Sequence, residues 1–155
     1  MNCRWNQRLT YAFVGLLAGD IALVLYLVLN ALVVHATYLA AHVGEPERQV
    51  STALQLSTIY VLCSLAGFLV VGVPVALLLP PRFVAGWPWL VTIVVGALLG
   101  PPALFTILFV LGGGSVHLSN SFRETGLLFA FSMLVSTVSF GVYVALLRKQ
   151  LRRTS

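Results

Sequence analysis

Few residues in this chain combine a reactive type with a setting in which it would matter. The first is Asp20. It stands inside a long apolar run from Tyr11 to about His35, and it is the single acid in any hydrophobic segment of the sequence. A charged Asp near the middle of a bilayer costs about 2.5–3.5 kcal/mol on insertion scales. No Lys or Arg lies in any apolar segment, so composition excludes a salt bridge within the spans. Three ways of accommodating the carboxyl remain. It is protonated and neutral, it accepts hydrogen bonds from neighbouring helices, or it meets a cation or a partner protein.

The other candidates are weaker. Ser115, His117, Asn120 and Ser121 follow the flexible Gly112-Gly113-Gly114 tract. A Ser/His pair without a buried orienting acid or a nucleophile elbow is not a hydrolytic centre, so we expect no enzyme here. His35 and His42 stand seven residues apart and would hold a metal only with a further ligand. Cys3 and Cys63 form no CxxC pair and read as two unpaired thiols. We expect neither a metal nor a cofactor.

The elements that position Asp20 follow from composition. The chain has 155 residues, 59% hydrophobic and 8% charged, whereas soluble domains carry about 25% charged residues. A helix crosses the hydrocarbon core with about 20 apolar residues. Four such segments are present, at about 9–36, 52–79, 86–111 and 125–147, with a basic tail at 148–155. Nothing outside them is long enough for a soluble domain. The first apolar run is too long for a signal-peptide core and has no clear cleavage site, so it reads as an uncleaved span. Gly44 and Pro46 break the chain after it. Thr52 and Gln55 have the spacing of a capping box at the start of the second. Pro80, Pro81 and Arg82 form a very short connection, and Trp87 and Trp89 mark the interface at the start of the third.

The fold class expected is therefore an all-α membrane protein, a four-transmembrane-helix bundle with short loops. Arg4, Arg8, Arg82, Arg148, Lys149, Arg152 and Arg153 fall on one side, and Arg48 and Arg123 on the other. The positive-inside rule then places both termini in the cytoplasm. The net charge of +5 is explained by this topology and not by nucleic-acid binding. Arg148, Lys149, Arg152 and Arg153 would also touch anionic lipid head groups.

Depth matching suggests neighbours for Asp20, which lies about 16 Å below Leu9 at the usual helical rise. Ser136 and Thr137 of the fourth span reach the same depth, as do Gly96 and Ala97 of the third. Pro101 and Pro102 follow one turn later and would kink the third span, because proline leaves the carbonyl four residues back without its helical donor. Asp20, Ser136 and Thr137 are thus an expected intramembrane polar cluster. It would serve as a proton or cation site or, more simply, tie three helices together.

Small or polar residues also recur at helical spacing. These are Thr92, Gly96 and Gly100 in the third span, Ser57, Tyr60, Ser64 and Gly67 in the second, Ser132, Ser136, Ser139 and Tyr143 in the fourth, and Gly15, Gly19 and Asn30 in the first. Small residues let helix backbones approach closely. Gly96 and Gly100 would serve homodimerisation or packing within the chain, and packing within the chain is the simpler use.

The functional expectation is a non-enzymatic, multi-pass protein of a bacterial inner membrane. It would act through contacts with another membrane protein or a second copy, as an accessory subunit or an immunity protein against a membrane-acting toxin. The alternative is a small proton- or cation-coupled transporter using Asp20.

Overall fold

The structure is a computed structural model that describes residues 5–41, 55, 58, 60–111 and 122–154. The described chain is almost entirely helical. Helix α1 is Trp5–Ala41, and α2 is the span Tyr60–Leu78. A one-turn helix α3, Pro81–Ala85, follows. Then come α4, Trp89–Leu111, and α5, Phe122–Thr154. Four stretches are long and apolar enough to cross a membrane: Trp5–Thr37, Tyr60–Leu78, Trp89–Ile107 and Gly126–Arg153. By length and composition this is a multi-pass membrane protein.

Two elements depart from the sequence expectation. The connection after α2 is longer than a Pro-Pro-Arg turn. Pro80 is extended and Pro81 opens α3, a position where its missing N–H costs nothing and its fixed φ suits a helix. Pro88 then precedes α4, and its carbonyl accepts the Thr92 N–H. The third span accordingly starts at Trp89 and not at Gly86. At the other end the basic tail is helical over 148–154, because α5 runs on through Thr154. Leu, Arg, Lys and Gln are good helix formers, and cations near a helix C-terminus suit its dipole.

Helix α2 contains a π-helical turn, Phe68–Gly72, in which the Val73 N–H donates to the Phe68 carbonyl. Pro74 explains its position. Its ring has no N–H for the Val70 carbonyl and would crowd it in a regular turn, and a wider turn relieves the conflict. Gly72 lies under the Phe68 ring, where a Cβ would come within 2.6 Å of Phe68 Cδ2.

Helix α5 packs along α1 on one side and α4 on the other. Both contacts are made by glycine ridges. A Cβ at Gly15 would strike the Ser139 carbonyl, and one at Gly19 would strike Ser139 Oγ and the Val135 carbonyl. On the opposite side, a Cβ at Gly96 would sit 2.9 Å from the Thr137 Cα, and one at Gly100 would strike the Ser132 carbonyl. Backbone meets backbone at both crossings, which maximises van der Waals contact where lipid offers no hydrophobic drive. Gly96 and Gly100 are thus occupied within the chain.

Helix α2 lies over this three-helix layer. Its Tyr60 ring packs edge-on against Phe131, and Phe68 packs against Phe13. Near its end, Ala76 joins a buried cluster with Ala12, Val84, Phe140, Tyr143, Val144 and Leu147. A second cluster joins Leu23, Leu27 and Val135.

Candidate functional site

Asp20 is 8% exposed. Gly19 and Asp20 are consecutive, so they point about 100° apart around α1. Because Gly19 is pressed against α5, Asp20 is turned towards α2. There Ser64 Oγ donates to Asp20 Oδ1 at 2.5 Å and lies 2.9 Å from the Val61 carbonyl. The Asp20 carboxyl therefore connects the first two spans.

The expected cluster is not assembled as depth alone suggests. Ser136 Oγ donates to the Gly96 carbonyl at 2.6 Å, joining α5 to α4 one residue before the carbonyls that Pro101 and Pro102 leave without helical donors. Asp20 bonds Ser64 instead. Thr137 is half-buried, its Cα beneath Gly96. Pro101 and Pro102 sit inside an unbroken α4, and the Pro102 carbonyl accepts from Thr106 Oγ1 at 2.8 Å.

A cavity of about 140 Å³ lies between α2 and the layer beneath it. Apolar side chains form most of its wall, including Leu16, Phe68, Leu104 and Val135, while Ser64, Ser132, Ser136 and Ser139 add hydroxyls. Ser132 Oγ is satisfied by the Phe129 carbonyl at 2.8 Å. Ser139 Oγ is buried without a hydrogen-bond partner. Asp20 stands behind Ser64 at the edge of this space. Cys63 also lines it as a free thiol.

Compared with family models, curated proteins and solved structures, the chain matches none.

Thr92 is fully buried and its Oγ1 donates to the Pro88 carbonyl, securing the first turn of α4. Gly67 faces Ile107 and Ala103 of α4. His35 lies near the far end of α1 with Nδ1 buried and unpaired. Among the described residues, no three His, Cys, Asp or Glu side chains gather as metal ligands. Ser57, Thr52, His42, Cys3 and the 112–121 tract lie outside the described residues.

One feature escapes a reading of the sequence as topology alone. The arginines at the basic end act as clamps on backbone carbonyls. Arg8, only 7% exposed, donates from its guanidinium to the Leu77 and Leu79 carbonyls at the end of α2. Arg148 Nε donates to the Ala85 carbonyl at 3.0 Å, its Nη2 donates to the Trp87 carbonyl, and its guanidinium stacks 4.4 Å from the Trp89 ring centre. Tyr143 Oη adds a bond to the Ala76 carbonyl at 3.3 Å. Helix ends leave carbonyls without donors, and the prolines at 80, 81 and 88 remove further donors from this connection. In the sequence Arg8 and Arg148 stand far from this proline-rich connection, so only their charge was visible.

Proposed function

We propose that the chain is a non-enzymatic multi-pass inner-membrane protein that acts through contacts inside the bilayer, as an accessory subunit or an immunity protein does. In this reading the spans form one four-helix bundle with both termini cytoplasmic, in keeping with the basic residues gathered at one end. The observation that supports it most is the seating of α2. Glycine ridges lock α1, α5 and α4 backbone to backbone, whereas α2 rests over a cavity and leaves Leu62, Leu65, Leu69 and Val70 exposed. Elements with few buried contacts open at the least free-energy cost. A partner helix would engage α2 with little disturbance of the rest.

The test is photo-crosslinking in native membranes, with the reactive group placed at Leu65 on α2 or at Leu98 on the exposed side of α4. We expect a discrete adduct from position 65 and none from 98. Equal labelling from both positions, or none from either, removes the reading. An adduct of twice the chain's mass identifies the partner as a second copy.

A second reading, proton- or cation-coupled transport, is favoured by the carboxyl of Asp20 beside the cavity with Ser64 as its hydrogen-bond donor. Its test is pH-driven flux in liposomes containing this protein alone. Asp20→Asn abolishes that flux if the carboxyl carries the proton, and unchanged flux sinks the idea.

A further inference from the structure

The basic end of α5 forms more than a charged helix face. Ala145, Arg148, Lys149, Arg152 and Arg153 line a concave pocket with Trp89 of α4, about 500 Å³ in volume. Along α5 these positions follow helical spacing, so their side chains share one side of the helix. Arg148 is held in place by the Ala85 and Trp87 carbonyls and by the Trp89 ring. Lys149 and Arg153 are exposed at the pocket rim. The four acidic residues of the chain are Asp20, Glu45, Glu47 and Glu124, and none lies in 125–155.

We propose that this pocket binds the phosphate of an anionic phospholipid head group. Guanidinium and ammonium groups recognise phosphate through charge-assisted hydrogen bonds, and a Trp ring is suited to head-group depth. The choice of a lipid over a soluble anion comes from what lies next to the pocket. Trp89 opens α4, and Leu90, Ile93 and Val94 just beyond it are exposed. A phosphate seated against Arg148 and Lys149 places its acyl chains along that apolar surface. The proposal is independent of the partner-contact reading, since it uses other residues and other chemistry than the α2 surface.

The experiment is native mass spectrometry of the full chain released from detergent with equal amounts of phosphatidylglycerol and phosphatidylcholine. The wild type retains the anionic lipid preferentially. Each removed cation weakens that preference roughly tenfold or more, from about 1.5–3 kcal/mol for a hydrogen bond to a charged group. The pair Lys149→Gln and Arg153→Gln therefore lowers it about 100-fold, and Lys149→Arg with Arg153→Lys restores it. Both positions are exposed, so the fold is preserved, and circular dichroism checks this. Arg82→Gln, an exposed cation of the same end but outside the pocket, leaves the preference within about twofold. An equal loss in Arg82→Gln means a diffuse field and overturns the site. So does a wild type without preference. Displacement of the lipid by millimolar inorganic phosphate, at ionic strength matched with chloride, overturns the lipid assignment in favour of a soluble anion.

Discussion

Ser64 of α2 donates its hydroxyl hydrogen to the carboxyl of Asp20 on α1, across 44 residues of sequence. This bond decides how the acid is tolerated in an apolar span, and it makes the Asp20–Ser64 pair the first test of the structure. Interhelical hydrogen bonds in membranes are worth about 0.6 kcal/mol on average and up to about 1.7. A double-mutant cycle with Asp20→Asn and Ser64→Ala, read by unfolding in detergent, should return a coupling energy in that range. Strictly additive effects would show that the two side chains do not meet.

The glycine ridges predict a contrast within one residue type. Gly15→Ala and Gly19→Ala drive a methyl into the α5 backbone, and each should cost about 1–3 kcal/mol as overpacking. A Cβ at Gly141, on α5 itself, would meet nothing within 4 Å outside its own turn. Gly141→Ala should be neutral or stabilising by up to about 1 kcal/mol through helix propensity. Unfolding midpoints of the three variants are compared under one condition. Tolerance of Ala at both Gly15 and Gly19 contradicts the α1–α5 crossing.

Arg148→Lys tests the clamp at the connection between α2 and α4. Lysine keeps the charge but lacks the planar fork that reaches two carbonyls while stacking on Trp89. The variant should lose about 1.5–3 kcal/mol, the usual value of a hydrogen bond to a charged group. Limited proteolysis at Arg82 should accelerate with it. A variant as stable and as protease-resistant as the wild type would show that charge alone is needed.

Tyr143→Phe removes only the hydroxyl that donates to the Ala76 carbonyl. The ring remains in the cluster with Val84 and Leu147. The expected loss is about 0.5–1.5 kcal/mol, measured by the same unfolding assay. A loss beyond 3 kcal/mol would mean that the ring has moved and not merely lost a bond.

The membrane character of the chain and its four spans were legible in the sequence, because crossing a bilayer requires about 20 apolar residues whatever the neighbours are. So was the level at which α1 meets α5. Ser136 lies in sequence between Val135 and Ser139, which touch Gly19, so the first and fifth helices do meet at that level. Height along a helix follows from counting residues. Rotation about its axis does not. Gly19 turns α1 so that its neighbour Asp20 leaves Ser136 and meets Ser64, and only the packed backbones decide that. The same holds at the basic end. Arg8 and Arg148 were visible as charge, but their carbonyl partners appear only once Pro80, Pro81 and Pro88 have folded the connection back beneath them. Apolar length fixed where the helices are, and close backbone contact fixed which way each of them faces.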